Sequence, residues 1–488
     1  MKQNKYQKTL GILFSVLILT LCLTPQARSF FNMPQEQTVI VGEEIKFNLN
    51  FPQQFLQKLS FYVSPSSGNL LQIKENDFKQ NTFNLADGWP VASNPGKLNL
   101  EMKLFGFIPI KTVTVNIFPE VKVIPGGHSI GVLMHSKGIM VIGFSPISDK
   151  NNKKQYPAKK AGLEIGDIIL AINGQTVKTD GEAAQLIDKL GEKGNAINVL
   201  IKRNDKQLLL KVKPIYCSET KRNRVGLYIR DSAAGVGTLT FIEPNSHCYG
   251  ALGHIIADTD TNKQIALGEG KIINASIQGI NQGEKGRPGE KIGTFLDNTT
   301  LTGDIKKNTP YGIFGKLDKV VENNLYPEPI PIALGSHIKT GKAEILTVVN
   351  NEKIERFNIK IEKVMPQHSP DGKGLIIRIT DPRLLKITGG IVQGMSGSPI
   401  IQNGSLVGAV THVFINDPTR GYGILAEWML LETGLLNNNI HNIGKGALSS
   451  FFCRTILLSS IIISNVRSFW FLSSKGGLTV FYVEYLFY

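Results

Sequence analysis

The chain has 488 residues, enough for two to four domains at roughly 100–200 residues each. Apolar residues make up 42% and charged residues 19%, with 24 Phe and 12 Tyr, which excludes wholesale disorder and collagen-like or low-complexity architecture. Lys and Arg outnumber Asp and Glu by 54 to 39, a net charge of +15. The basic residues form no long run with interleaved aromatics and no zinc-finger or RNA-binding signature, so nucleic acid is not an expected partner.

Lys2, Lys5 and Lys8 precede an apolar stretch from Leu10 to Leu23, and no acid appears before Glu36. A positive start followed by a short apolar segment predicts export across a membrane. Residues 1–28 are read as a signal peptide, cleaved near Ala27, or as a retained anchor. Fourteen residues, most of them apolar, are short of the ~20 that span comfortably. Leu21 before Cys22 is too large for a lipoprotein cleavage site. Residues 29–120 alternate apolar and polar positions at Val39 to Leu49, Leu98 to Leu104 and Val113 to Ile117. That period predicts a small β module, a hairpin among its strands, acting as a spacer.

Residues 121–215 change character. Gly166-Asp167-Ile168-Ile169-Leu170-Ala171-Ile172-Asn173-Gly174 reads as a buried strand ending in an Asn-Gly hairpin turn. A helix follows with Ala183, Ala184, Ile187 and Leu190 on one face and Gly191 as its stop. Strands at 197–201 and 208–212 complete the segment. It resembles a PDZ domain, whose GDxIxxING core it matches position by position. The resemblance implies a fold that adds an extended peptide to a sheet edge. It also implies a carboxylate-binding loop with an apolar-Gly-apolar core, which Ile130, Gly131 and Val132 match.

Residues 216–440 are strand-rich, with apolar runs at 236–242, 375–379 and 406–413. Together the chain reads as mainly β with some α: a small β module, a PDZ domain and a β-rich third domain built as a barrel pair or sandwich. Gly279, Gly283, Gly286, Gly289 and Gly293 lack the phosphate-cradle spacing and are read as a mobile loop. The four cysteines, Cys22, Cys217, Cys248 and Cys453, contain no CxxC. That excludes ordinary zinc spacing and leaves one conceivable bridge, Cys217 to Cys248. No metal or cofactor is expected. The tail, 441–488, mixes short apolar runs with Ser; it reads as a poorly formed membrane segment or as sequence past a frameshift.

Gly394-Met395-Ser396-Gly397-Ser398-Pro399 carries the sharpest chemistry. A serine nucleophile needs an exposed hydroxyl on a tight turn and backbone N–H groups aimed at the developing oxyanion. Here the amides of Gly394 and Ser396 are the candidates. The order is GxSG, not the GxSxG of α/β-hydrolases. Eight histidines could supply the base, and spacing does not choose among them; His254 follows a glycine-rich approach, and His412 lies on the strand after the serine turn. His247 beside Cys248 leaves a thiol nucleophile open.

The run from Gly389 to Gly404, continuing through Gly408 to Val413, resembles the sporulation stage IV B serine peptidases. The Gly250-Ala251-Leu252-Gly253-His254 block and the PDZ domain ahead of it fit the same family. The resemblance extends to about residue 440. It implies Ser396 as nucleophile, His254 as general base and Asp381 as the orienting acid, with Asp258, Asp260 and Asp417 as rivals. It further implies an exported, membrane-associated enzyme in the forespore intermembrane space. Such an enzyme cleaves a membrane-anchored protein regulator, so triggering intramembrane processing of the mother-cell sigma factor, and cleaves itself in trans. A histidine base predicts a rise in kcat/KM with an apparent pKa near ~6.5–7. The competing class is a PDZ scaffold that binds a membrane partner through an inactive peptidase fold.

Overall fold

The computed structural model describes residues 88–296, 301–367 and 369–436, together with 13, 24, 33, 35–47, 49, 56–64, 69–73, 76–77 and 81–84. The export segment and the hydrophobic tail lie outside the described residues, apart from Leu13 and Thr24. Among the described residues no helix is long and apolar enough to cross a membrane.

Toward the N-terminus, five strands form one sheet in the order Glu36–Ile40, Ile108–Phe118, Gly96–Leu104, Leu59–Val63 and Thr82–Asn84. The hairpin between Gly96–Leu104 and Ile108–Phe118 turns at Phe105 and Gly106, both at positive φ. Leu98, Leu100, Met102, Val113, Val115 and Ile117 alternate inward into one buried cluster. Each such side chain contributes about 1.5–3 kcal/mol on burial.

β1 (Ser129–Phe144) leads into the next layer, followed by β2 (Ile168–Ile172), α1 (Asp180–Gly191), β3 (Ile197–Arg203) and β4 (Lys206–Val212). β2 turns at Asn173 and Gly174, with φ of 49° and 81°, and pairs back through Ile172 and Gln175. These are the conformations an Asn-Gly type I′ turn requires. Thr179 and Glu182 close a capping box on α1. The buried face of α1 is Ala183 and Ile187, with Leu186 and Leu190 partly buried; Ala184 points to solvent, and Gly191 ends the helix from inside it.

The structure corrects the reading of Ile130, Gly131 and Val132 as a carboxylate-binding loop. They lie inside β1, paired on one side with Gly237, Val236 and Gly235 and on the other with Asn274, Ile273 and Ile272. Both edges are taken, so no peptide strand can add there. A Cβ on Gly131 would sit 2.5 Å from the Phe295 ring. The glycine is there for close packing rather than for ligand binding.

β5 (Leu227–Ile242) is one strand of 16 residues. It pairs antiparallel with β1 along nearly its whole length, from Leu227 opposite Phe144 to Thr238 opposite Ser129. The sheet runs β4-β3-β2-β1-β5 and continues through β6 (Cys248–Ala251). Of the glycine-rich segment, Gly279 and Gly293 lie in strands, while Gly283, Gly286 and Gly289 lie in the connection between them. β7 (Leu267–Asn281) and β8 (Glu290–Phe295) form an antiparallel ladder across it. A Cβ on Gly289 would meet the Asn281 carbonyl at 2.3 Å, so close backbone approach explains that glycine.

Six further strands close a barrel. In chain order they are β9 (Gly341–Val348), β10 (Ile354–Val364), β11 (Leu375–Ile379), β12 (Pro399–Gln402), β13 (Ser405–Phe414) and β14 (Asp417–Leu425). α2 (Pro382–Thr388) follows β11. Ile345, Phe357, Ile359, Ile377, Ile400 and Val410 fill the barrel. The fold is mostly β. Cys217 and Cys248 are both free, which overturns the possible bridge.

Candidate active site

The serine turn sits between α2 and β12 with its back against β5. Thr238 Oγ1 donates to the Gly394 carbonyl at 2.7 Å, the Thr238 N–H to the Ser396 carbonyl at 3.0 Å, and Thr240 Oγ1 to the Gly397 carbonyl at 2.8 Å. Three carbonyls of the turn are thus anchored from one side. Among the described residues the N–H groups of Gly394 and Ser396 have no hydrogen-bond partner. That leaves both donors available to a developing oxyanion. Gly394 and Gly397 hold φ of 89° and 92°, conformations that glycine adopts without a Cβ penalty.

Ser396 is partly exposed while Gly394, Met395, Gly397 and Ser398 are buried. Its hydroxyl donates to the Thr411 carbonyl on β13 at 2.8 Å. His254 approaches the same region from the other side. A Cβ on Gly253 would lie 2.9 Å from Thr411 Cγ2, and the His254 ring is 5.1 Å from that of His412. His254 Nδ1 is 2.8 Å from the Ile255 carbonyl. A proton on Nδ1 satisfies that carbonyl and leaves Nε2 as the acceptor a general base needs. No hydrogen bond joins His254 to Ser396 in this state; the Ser396 hydroxyl must release the Thr411 carbonyl before it can donate to a base.

Burial pushes the His254 pKa below its ordinary 6.5, and the Ile255 carbonyl only partly offsets this. His412 is pushed down to about 4 by desolvation, then by the neighbouring His254 and Lys373. Both rings are therefore neutral at pH 7, as a base must be. The pH limb set by His254 belongs below its ordinary value, under the window expected from an unperturbed imidazole.

Asp381 departs from its predicted role. It is the N-cap of α2, buried, and its carboxylate accepts from the Arg383 N–H at 2.9 Å, Arg383 Nη2 at 3.1 Å and the Asn358 N–H at 3.3 Å. Burial alone would raise its pKa, but Arg383 and these amides hold it below the ordinary range. No hydrogen bond connects it to His254. The fourteen residues between Asp381 and Ser396 form the α2 helix and the serine turn. The rivals are committed too. Asp258 and Asp260 pair with Arg230, and Asp417 pairs with Arg378 and Thr419. Among the described residues no carboxylate orients His254; a backbone carbonyl does. Cys248 lies in β6, its N–H held by Ser246, and makes no bond to an imidazole.

Sequence reasoning missed Lys291 on β8. Its stem packs against Gly394, 3.1 Å from where a Cβ would be, and its N–H donates to the Gln393 carbonyl. The ammonium is buried and donates to Thr347 Oγ1 at 2.8 Å. Burial pushes its pKa down to about 7. Between that value and 10.5 the unfolded chain holds a proton that the folded chain has lost, so stability rises with pH through this window. Lys291→Met is therefore expected to stabilise the protein by up to about 4–5 kcal/mol at pH 6, with a smaller gain at pH 9.5. Thermal melts at both pH values check this; an equal gain at both would assign the effect to packing instead. Thr238 and Thr240 were equally missed, although their alternation with Leu239 and Phe241 marks them as one face of a strand.

Residues 221–430 match the family model described as SpoIVB peptidase S55, and residues 130–213 match that of the PDZ domain. No curated protein matches the chain. Among solved structures the chain is similar to the PDZ domain of the SdrC-like protein of Listeria monocytogenes, at 22% identity, 19% of this chain, 87% of that one and a TM-score of 0.15. It is similar to the active form of the Rv3671c protease of M. tuberculosis, at 16% identity over 43% of this chain and 78% of that one, with a TM-score of 0.27. The HtrA-type protease AlgW with a decapeptide shows 12% identity over 42% of this chain and 54% of that one, with a TM-score of 0.25. Scores this low make the three likenesses only. The Ser396 turn and His254 both lie within the segment that matches the SpoIVB peptidase S55 model, and the chain is a serine peptidase that also carries a PDZ domain.

Proposed function

We propose that the chain is an exported serine endopeptidase of endospore formation. It works in the forespore intermembrane space, cleaves a membrane-anchored regulator there, and so triggers intramembrane processing of the mother-cell sigma factor; it also cleaves itself in trans. Ser396 attacks, His254 Nε2 takes its proton and returns one to the leaving amine, and the Gly394 and Ser396 amides receive the oxyanion. The Ile255 carbonyl takes the place of an orienting acid at Nδ1. One observation carries the catalytic reading: the serine turn is anchored by three carbonyls, with two amides left unpaired beside the hydroxyl. The biological setting rests on the S55 family match and on the N-terminal sequence pattern.

The test is cleavage in trans. Wild-type chain is mixed with the Ser396→Ala chain as substrate, and products are identified by mass. Discrete cuts that vanish when the enzyme itself carries His254→Ala are the expected result. A folded wild-type chain that cuts neither this substrate nor the membrane-anchored one would refute the reading.

A further inference from the structure

The tip of the N-terminal hairpin carries side chains that its fold does not bury. Phe105, Phe107 and Ile108 are 53%, 73% and 43% exposed. With Gly106 and Pro109 they make five exposed residues in a row, none charged and none with a polar side chain. The rings of Phe105 and Phe107 lie side by side, their centroids 6.5 Å apart, so they form one patch. Across the turn the Phe107 N–H donates to the Leu104 carbonyl at 3.4 Å, with Phe105 and Gly106 at φ of 55° and 81°. A two-residue turn of this kind favours Asn or Asp at its first position. Phe105 meets the left-handed penalty there without burying its ring. A polar residue would serve the hairpin better, so neither cost is recovered within the described fold.

Ammonium groups stand behind the patch. The Phe105 N–H donates to the Lys58 carbonyl at 2.9 Å, and Lys58 Nζ lies 5.5 Å from the Phe105 ring centroid. Lys103 and Lys111 flank the exposed run on the two strands of the hairpin, each two residues outside it. That is about 7 Å at ~3.3 Å per residue. Over residues 56–62 and 101–112 the only carboxylate is Glu101, which pairs with Lys103 at 3.3 Å. An apolar point backed by cations suits an anionic bilayer, with rings below the headgroups and ammonium groups beside the phosphates. A second copy of the tip would instead bring like charges together.

The path of the chain brings the same end of the sheet toward the export segment. Glu36–Ile40 pairs in parallel with Thr114–Phe118, so the residues ahead of Glu36 run back toward the tip. The Thr114 N–H donates to the Gln35 carbonyl at 2.9 Å, and Lys111 Nζ donates to the Met33 carbonyl. Leu23, the end of the apolar stretch, is ten residues ahead of Met33. Ten residues reach at most ~36 Å when fully extended.

We propose that the Phe105–Pro109 tip is a lipid-docking site. It inserts Phe105, Phe107 and Ile108 into the interfacial layer of an anionic bilayer, with Lys58, Lys103 and Lys111 at its headgroups. The site holds the module, and the catalytic segments that follow it, against the membrane through a contact separate from the N-terminal segment. It rests on the export reading only for which bilayer the tip meets; vesicle binding stands or falls without it.

The test uses the full chain with vesicles of phosphatidylglycerol and phosphatidylethanolamine, and with vesicles of phosphatidylcholine alone. Amide hydrogen exchange read by mass spectrometry reports on the tip itself, whatever the N-terminal segment does. Exchange in residues 104–110 is expected to slow by roughly tenfold on the anionic vesicles and to stay unchanged in 129–136, where both edges are already paired. Phosphatidylcholine should give little protection. Phe107→Ser and Lys58→Glu should each remove most of it; both side chains are exposed, so the fold is kept. Equal exchange with and without anionic vesicles, equal protection by phosphatidylcholine, or full protection in Phe107→Ser would overturn the proposal. So would protection that appears without vesicles and grows with protein concentration, which would assign the patch to a second copy. Cleavage of the Ser396→Ala chain is measured in the same preparations without vesicles, so a failure of docking and a failure of catalysis are read apart.

Discussion

Ser396→Ala is expected to lower kcat/KM by roughly 10³–10⁶-fold while the melting temperature stays within a few degrees of wild type. The hydroxyl is partly exposed and makes one hydrogen bond, to the Thr411 carbonyl, so little stability depends on it. Its loss acts on the barrier alone. His254→Ala should be about as damaging, because nucleophile and base act as one unit and their losses do not add. Asp381→Ala should behave differently. It removes an N-cap and the partner of Arg383, so a loss of roughly 1–3 kcal/mol in stability is expected, with activity following the folded fraction. Progress curves for all three variants, set beside urea unfolding, separate the cases. Should Asp381→Ala abolish cleavage in fully folded protein, the assignment of Asp381 to the α2 cap alone would be wrong.

Gly397→Ala is the second large effect. A Cβ there would lie 2.1 Å from the Thr238 carbonyl and 2.5 Å from the Leu252 N–H, at a φ of 92°. Both neighbours are backbone atoms, Thr238 within β5 and Leu252 in the bend just past β6, so no flexible side chain can yield. The expected cost is roughly 2–5 kcal/mol from strain and overpacking. Displacement of the turn should take most of the activity with it, even in the molecules that remain folded. Gly404→Ala is the matched control: its φ is 77°, but no heavy atom lies within 4 Å of the added carbon. It should cost only about 1 kcal/mol and leave kcat unchanged. Similar losses from both would show that φ alone, and not the contact with β5, governs the turn.

What was legible in the sequence was local. The Asn173-Gly174 turn, the barrel strands near 375–379 and 406–413, and the exposed serine in a glycine turn each follow from a few adjacent residues. The errors came where one local pattern serves two purposes. Asp381-Pro382 matched a triad acid by position, yet Asp followed by Pro is also an N-cap with Pro at the first helical position, which is what forms. Ile130-Gly131-Val132 matched a binding loop, but the same pattern suits a buried strand that must admit the Phe295 ring. The glycines from 279 to 293 suggested mobility, whereas Gly293 sits in a paired strand and Gly289 lets the connection close on the Asn281 carbonyl. Lys291 was invisible because its meaning depends on Gly394 and Thr347, each more than fifty residues away.

The shared length of β1 and β5 also bears on how the molecule comes apart. Along one pair of strands the PDZ-matched segment and the peptidase segment complete each other, and the described residues up to 436 belong to one compact unit. A fragment cut near residue 215 keeps β1 but loses its partner. Met140–Phe144 is then left as a bare strand edge, open to self-association. The two segments are therefore not beads joined by a tether but halves of one cooperative melting unit, and opening either exposes the ladder of the other.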